Sequence, residues 1–333
     1  MSNKTELLDK VNEMTGWNIN PRHFHVFTDT TDLMRIIRGN LVFIGGKYYI
    51  VKGNMHESRF GIDETPKYWV FDTIEMESGE RKILKTVFDE EFYAHISILK
   101  IRCYRNPDKE SKVLNITRND SRFMQGYTRL DEKGNNVRII DYIKGNTLFA
   151  YIPSIKKTHE EYFHEDLGNI LWKLLHSILA IQFLHLNGLC HGDIRNDHII
   201  IEKETSRYRW IDFDLNQDVT DFDLWSIGNL LVYAVGKGII TFDSVLKNKN
   251  ISDKIKNSLT RNDCSAFYNY RIMDIQKVFP YIPDKLGNLL RHFTMNPVGF
   301  LSDIKELIRL YVDMLETVFP KSSLDDKEDV CID

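Results

Sequence analysis

Two aspartates near the middle of the chain have the setting expected of a phosphoryl-transfer site. Asp193 lies in the polar loop that opens the segment CHGDIRNDHIII (residues 190–201), and Asp212 follows the apolar run WI after a charged hairpin. One carboxylate in such a pair can orient or deprotonate an attacking hydroxyl, while the other holds a metal ion on the phosphates of a nucleotide. The pattern therefore indicates phosphoryl transfer from a metal-bound nucleotide.

These two segments resemble the protein kinase-like superfamily. The triplet HGD (191–193) is similar to the catalytic-loop triplet, with Gly in place of the usual Arg, and DFD (212–214) is similar to the metal-binding triplet. The resemblance implies that Asp193 is the catalytic base and Asp212 the magnesium ligand. It also places Arg195 where Ser/Thr kinases often have a phosphate-contacting Lys, and a guanidinium can do the same work. We expect His191 to serve mainly in packing.

Further matches follow in the same order along the chain. The run DLWSIG, which begins at Asp223, resembles the start of the kinase helix whose Asp braces the catalytic loop. The run DYIKGNTL resembles the hinge that binds adenine through its backbone, with Asp141 and Ile143 as the contacting positions. The resemblance covers roughly residues 41–317.

The resemblance also implies a lysine on the α- and β-phosphates and a glutamate paired with it. Lys85, at the end of an apolar run, is the preferred lysine, and Lys52 is its competitor. Residues 90–102 are predicted to form a helix, on which Glu91 is the best partner. His95 occupies the usual glutamate position of that pattern, so the choice between Glu91 and His95 stays open.

Three departures from the family pattern bear on mechanism. The Asn that binds a second magnesium is His198 here, and an imidazole ligand prefers softer ions, which makes Mn²⁺ an alternative to Mg²⁺. The stretch 52–61 has only Gly53 and Gly61, so backbone amides approach phosphates less closely than in a glycine-rich loop. The short span between Asp214 and Asp223 leaves no room for an activation loop switched by phosphorylation.

The elements that must position these residues change type along the chain. From residue 41 to 143, short apolar or alternating runs separated by turn residues predict strands. From residue 159 onward the apolar spacing becomes helical, and the stripe from Leu167 to Ile181 is predicted to be core. We therefore predict an α+β, bilobal protein kinase-like fold. Its divisions are an N-terminal extension (1–40), a β-rich N-lobe (41–143), a helical C-lobe (144–320) and an acidic tail (321–333).

Composition narrows the class of protein. The chain has 333 residues, is 42% hydrophobic and carries a formal net charge of -4, so no global basic field attracts nucleic acid or an anionic membrane. The four cysteines form no C-x-x-C pair, which favours neither a zinc site nor a disulfide framework and fits a cytoplasmic protein. The N-terminal residues lack the apolar run of a signal peptide, and we expect no stretch to approach a membrane span.

The leading hypothesis is an ATP-dependent kinase that transfers the γ-phosphate to a hydroxyl. The acceptor is a Ser/Thr of a protein, favoured by the C-lobe resemblance, or a small molecule, favoured by the missing activation segment. The alternatives are a pseudokinase that binds nucleotide or a partner, and a transferase that uses the same site for another transfer from ATP, such as nucleotidylation. ATP with Mg²⁺ or Mn²⁺ is the expected cofactor, and neither nucleic acid nor membrane is an expected partner.

Overall fold

A computed structural model describes residues 2–57, 65–96, 99–219, 222–266 and 268–321. The first part of the chain contains α1 (Ser2–Thr15), β1 (Val26–Phe27), β2 (Leu41–Ile44), β3 (Lys47–Glu57), β4 (Thr65–Glu75), β5 (Arg81–Lys85), β6 (Glu91–Ile96), β7 (Leu99–Arg105), α2 (Pro107–Ile116), β8 (Gly126–Leu130) and β9 (Asn136–Asp141). The remainder contains β10 (Gly145–Thr147), α3 (Leu148–Ser154), α4 (His159–Glu165), α5 (Leu167–Leu186), β11 (Ile199–Glu202), β12 (Tyr208–Trp210), β13 (Leu215–Gln217), α6 (Phe222–Val235), α7 (Phe242–Lys247), α8 (Asp253–Ser258), α9 (Ile275–Val278), α10 (Asp284–Arg291) and α11 (Ile304–Val318).

The chain divides into two compact units. The first comprises residues 1–91 and 104–144, and the second comprises residues 92–103 and 145–333. The first is built mainly of strands and the second mainly of helices, so the predicted α+β class with a β-rich part before a helical part is confirmed. Most of the predicted acidic tail, from residue 322 onward, lies outside the described residues.

The first unit is a seven-stranded sheet with the strand order β1-β2-β3-β4-β5-β9-β8. Alternate residues of a strand face opposite sides of a sheet, so Tyr49 and Val51 pack on one face while Ile50 packs on the other. The second face is covered by α1, through Leu8 and Val11. Leu8, Val11 and the fully buried Phe24, which all precede Leu41, are therefore part of this unit's core.

The predicted helix over residues 90–102 is wrong. This segment forms strands β6 and β7, which join β13 in a separate three-stranded sheet of the second unit. Ile101 and Cys103, two residues apart on β7, bury the same strand face against Leu215 of β13. Burial of every second residue, with aromatic and β-branched side chains, is typical of a strand. A short apolar run is compatible with both a strand and a helix, which is why the sequence pattern does not distinguish them.

Helix α5 is the central helix of the second unit. The predicted stripe from Leu167 to Ile181 is buried, which confirms it as core. The expectation that no stretch approaches a membrane span is wrong for this helix, because its length and mean hydropathy of 1.4 would allow it to cross a membrane. A buried core helix passes the same test, and 56% of the apolar window is buried within the protein. The helix therefore gives no argument for a membrane location.

His159 joins three parts of the helical unit. Its Nε2 lies 2.8 Å from the Val235 carbonyl oxygen, and its Nδ1 lies 2.5 Å from the Tyr281 hydroxyl. Its ring stacks on Phe279, with 3.5 Å between the ring centroids. A carbonyl oxygen only accepts, so Nε2 carries the proton and Nδ1 accepts from the tyrosine. Burial lowers the pKa of His159 to about 4.

The lowered pKa of His159 predicts a loss of stability in mild acid. Above pH ~6.5 the imidazole is neutral in both the folded and the unfolded chain and contributes no pH dependence. Between pH ~6.5 and ~4 the unfolded chain takes up a proton that the native state resists, so the free energy of unfolding falls as the pH falls. We expect a loss of roughly 2 kcal/mol over this range, after allowance for solvent screening.

Urea unfolding at pH 7 and pH 4.5 measures this effect. His159→Gln is expected to lower the stability at pH 7 but to remove most of the difference between the two pH values. His164→Gln, an exposed position on the same helix, serves as the matched control and is expected to retain the wild-type pH dependence. An unchanged pH dependence in His159→Gln would show that other groups cause the acid sensitivity.

Candidate active site

The loop that carries Asp193 is held from beneath by a buried carboxylate. Asp223, in the first turn of α6, accepts the backbone N–H of His191 at 2.7 Å and that of Gly192 at 2.9 Å. Its Oδ2 also lies 3.0 Å from Nε2 of His185 on α5. The predicted role of Asp223 as the brace of this loop is confirmed. Gly192 has a φ of +84°, a left-handed conformation that glycine adopts without a steric penalty.

His191 is a packing residue, as the sequence suggests. Its side chain is fully buried, and its ring lies 4.9 Å from the Trp210 ring and 4.6 Å from the Phe213 ring, measured between centroids. Phe213 is itself fully buried between Asp212 and Asp214. This aromatic group therefore joins the loop that carries Asp193 to the DFD triplet inside the second unit.

His198 lies between the two candidate catalytic aspartates. Its Nδ1 is 2.7 Å from the backbone oxygen of Asp193 and 3.7 Å from Asp193 Oδ2, while its Nε2 is 3.4 Å from Asp212 Oδ2. Because a carbonyl oxygen only accepts, Nδ1 carries a proton, and in the neutral imidazole Nε2 presents a lone pair. This buried Nε2 has no hydrogen-bond partner among the residues that the structure describes.

Arg195 is tied to an acidic neighbour. Its guanidinium forms a two-pronged ion pair with Asp197, at 2.9 Å from Nε and 2.5 Å from Nη2. Nη1 also lies 3.9 Å from Asp193 Oδ2. About one-quarter of the Arg195 side chain is exposed to solvent. Because the ion pair with Asp197 holds the guanidinium in place, its exposed part can contact a ligand. Its predicted phosphate contact stays a prediction.

Asp212 has an unusual backbone conformation. Its φ is +69°, a left-handed value that costs energy in most residues but is tolerated by Asp. The chain then runs through Asp214 into β13, which pairs with β7 in the same small sheet. Beyond β13, the backbone N–H of Asp218 donates to the carbonyl of Arg102. The short segment after the DFD triplet is therefore held by the strands inserted between β5 and α2.

Lys85 forms a buried ion pair in the first unit. Its Nζ lies 2.8 Å from Oε1 of Glu110, which is in the first turn of α2, and both side chains are almost completely buried. Lys52, the competing lysine, lies 3.3 Å from Asp72 and is about one-third exposed. The buried pair favours Lys85 over Lys52 as the candidate phosphate-contacting lysine.

The assignment of Glu91 to a helix is wrong, and so is the same assignment for His95. Both residues belong to β6, whereas the first helix after Lys85 is α2. The sequence patterns do not identify Glu110 as the partner of Lys85, although the residues just before it are typical of a helix N-terminus. The Asn106 side chain caps α2 by accepting the backbone N–H of Lys109, and Pro107 follows at the first helical position.

The candidate hinge lies at the end of β9. Asp141 is the last residue of this strand, and its carboxylate accepts from Lys82 Nζ at 2.7 Å. Ile143 is buried, with 7% of its surface exposed. At Gly145 the next strand begins, and a side chain there would meet the carbonyl oxygen of Ile201 at 2.1 Å, so only glycine fits. The adenine contacts of Asp141 and Ile143 stay predictions.

Comparison with curated proteins finds weak similarity to two proteins named as kinases and to one named as a ribonuclease. Probable serine/threonine-protein kinase fnkE of Dictyostelium discoideum is 25% identical over 135 residues, covering 37% of this chain and 10% of that protein. Probable serine/threonine-protein kinase fnkB of the same organism is 28% identical over 112 residues, covering 34% and 20%. The 2-5A-dependent ribonuclease of Mus musculus is 27% identical over 245 residues, covering 65% and 31%. The chain thus spans at most about a third of these relatives.

No protein-family model matches the chain. A solved structure of Rad53 residues 1–466 with AMP-PNP aligns with 74% of this chain and 60% of that one, at 13% identity and a TM-score of 0.43. In sequence, the chain is thus weakly similar to two proteins named as probable serine/threonine-protein kinases.

Proposed function

We propose that the chain is an ATP-dependent phosphotransferase that transfers the γ-phosphate to a hydroxyl. The observation that carries this proposal is His198, whose two ring nitrogens contact Asp193 and Asp212 and so bring the candidate base and the candidate metal ligand together. Asp193 would accept the proton of the attacking hydroxyl, and Arg195 would contact the phosphates. In the first unit, Lys85 held by Glu110 would contact the α- and β-phosphates.

The residues around His198 fit a divalent cation. Two adjacent ligands of an octahedral ion with bonds of about 2.1 Å lie roughly 3 Å apart, and His198 Nε2 is 3.4 Å from Asp212 Oδ2. A lone pair facing a carboxylate in a buried position is unfavourable unless a cation or a proton lies between them. When bound, such an ion would neutralise charge on the transferring phosphate. His198 and Asp212 would hold it.

This arrangement predicts the metal preference. Since nitrogen ligation favours the softer ion, Mn²⁺ is expected to support ATP binding and phosphate transfer at least as well as Mg²⁺. His198→Asn, which supplies an amide oxygen in place of the imidazole, is expected to shift the preference toward Mg²⁺. A titration of both metals, read by ATP-dependent thermal shift and by phosphate transfer, measures the ratio.

His292→Asn provides the control for the metal titration, because His292 Nδ1 donates to the backbone carbonyl oxygen of Gly299, far along the chain from the DFD triplet. It is expected to keep the wild-type metal ratio. Activity in Mg²⁺ with none in Mn²⁺, or an unchanged ratio in His198→Asn, would contradict a ligand role for His198.

The acceptor class is tested by offering both kinds of hydroxyl. Purified protein with radiolabelled ATP and Mn²⁺ or Mg²⁺ would be incubated with Ser/Thr-containing proteins and peptides, and separately with small alcohols and aminoglycosides. We propose a Ser/Thr acceptor, because two of the curated relatives are named serine/threonine-protein kinases. Transfer to small molecules alone would replace the Ser/Thr acceptor with a small-molecule hydroxyl and leave the proposed mechanism unchanged.

A cytoplasmic location stays a prediction.

The second candidate function is nucleotide-dependent binding without catalysis. The observation that favours it is the replacement of the second metal-binding Asn by His198. If wild-type protein transfers no phosphate to any acceptor, yet Asp212→Ala abolishes an ATP-induced thermal shift, this function replaces the first.

A further inference from the structure

Arg138 is buried directly beside Lys85. Strands β5 and β9 are antiparallel with Lys85 opposite Arg138, and directly opposed residues project from the same face of a sheet. Lys85 is 5% exposed and Arg138 only 1% exposed. Two like charges in contact positions and out of water repel each other and have lost their hydration. An anion is needed to hold them together.

Glu110 of α2 provides that anion and divides its two oxygens between the cations. Oε1 accepts from Lys85 Nζ at 2.8 Å, and Oε2 accepts from Arg138 Nε at 3.1 Å. Arg138 also donates from Nη1 to the carbonyl oxygen of Asn136, on its own strand, at 3.1 Å. The guanidinium is therefore fixed to β9 at one end and to the α2 carboxylate at the other.

The same strand is bound to α2 at a second place. The Asn136 side-chain amide donates to Asp108 Oδ1 at 2.9 Å and to Ser111 Oγ at 3.0 Å. Thr128 of β8 also donates to Ser111 Oγ, at 3.0 Å. These contacts lie within the first unit and hold the N-terminal half of α2 on the β8–β9 hairpin.

We propose that Arg138 is a positioning residue that fixes α2, so that the Lys85–Glu110 pair is assembled before any nucleotide binds. A preformed pair needs no reorganisation when phosphates arrive, whereas a mobile helix would have to be ordered at that moment. The consequence for ATP rests on the proposed function. The consequence for the position of α2 does not.

Hydrogen exchange in the ligand-free protein tests the structural half. Arg138→Met removes the guanidinium but keeps a long side chain, and protection of the α2 amides is expected to fall roughly tenfold, the scale of one lost charged hydrogen bond. Amides of β2 and β3 are expected to keep their protection. Unchanged protection of α2, or an equal loss throughout the first unit, would overturn the proposal.

Two further variants keep the test decisive. Arg138→Lys retains the charge but lacks the planar fork that reaches Glu110 and Asn136 together, so an intermediate loss of about threefold is expected. This variant decides the question if Arg138→Met does not fold. Arg129→Met, at an exposed position on β8, is the matched control and is expected to leave α2 protection unchanged.

Binding of ATP with Mn²⁺ or Mg²⁺ tests the functional half. Arg138→Met is expected to raise the apparent Kd for ATP roughly tenfold, with partial rescue in Arg138→Lys. If the wild type does not bind ATP, the proposed function fails while the exchange result still decides the role of Arg138. If the wild type binds ATP and Arg138→Met binds it equally well despite a mobile α2, positioning of Lys85 by Arg138 is refuted.

Discussion

Asp193→Ala is expected to lower phosphate transfer by roughly 10²–10⁴-fold, the usual scale for loss of a general base. ATP binding is expected to stay nearly intact, because the change does not alter the residues proposed above to bind the metal and the phosphates. The structural reason for a specific effect is that the backbone N–H groups of His191 and Gly192 anchor the loop to Asp223, and the substitution leaves these bonds in place. Single-turnover transfer and a separate ATP titration measure the two quantities.

Asp243→Ala is the matched control for this experiment. Asp243 is an exposed acidic residue of the same unit, paired with Lys247 one helical turn later. It is expected to transfer phosphate at the wild-type rate. Full transfer activity in Asp193→Ala would show that the mechanism proposed above is wrong, whatever the acceptor.

The sequence predicts those parts of the site that are close together along the chain. The candidate catalytic loop, the DFD triplet and the start of the helix near Asp223 lie within residues 190–228, where the sequence gives both the residue types and their order. The contacts of Asp223 with the loop follow from that order. The packing role of His191 is also predicted, although the rings that pack on it, Trp210 and Phe213, come from the next segment of the chain.

The first unit was harder to predict because its key pairs are distant in sequence. Glu110 lies 25 positions after Lys85, and the intervening strands β6 and β7 displace the helix that the family pattern would place earlier. The burial of Arg138 beside Lys85 cannot be predicted from the sequence, because an arginine in an apolar strand is usually expected at a sheet edge or on the surface. Only the β5–β9 register shows that it faces Lys85. Such register is set by long-range packing and not by local propensity.

Asp223, the brace beneath the loop, is expected to matter for both stability and turnover. Asp223→Ala would leave the backbone N–H groups of His191 and Gly192 buried without their acceptor, and each such loss costs about 1–3 kcal/mol. We expect the free energy of unfolding to fall by roughly 3 kcal/mol. We also expect turnover to fall about 10²-fold, because Asp193 directly follows these two residues and a small displacement misplaces the base.

The charge state of Asp223 gives this prediction a pH dependence. Burial acts to raise the pKa of Asp223, but the hydrogen bond with His185, the nearby His191 and the Gly192 amide outweigh it, so the pKa lies below its ordinary value of 3.8. A carboxylate with a lowered folded-state pKa contributes stability that is present above its ordinary pKa and lost as the pH falls through the lowered value. The difference in unfolding free energy between wild type and Asp223→Ala should therefore be constant near neutral pH and shrink only in strong acid.

Asp223→Asn separates the charge of this residue from its hydrogen bonds. An asparagine keeps one acceptor oxygen for the loop amides but replaces the other with a donor, which faces the loop amides or His185 unfavourably. The free energy of unfolding of Asp223→Asn is expected to lie between that of the wild type and that of Asp223→Ala. Asp313→Ala, at an exposed position on α11, is the control and should change neither stability nor turnover appreciably. If Asp223→Ala unfolds at the wild-type urea concentration, the loop is held by other contacts and the brace does not position Asp193.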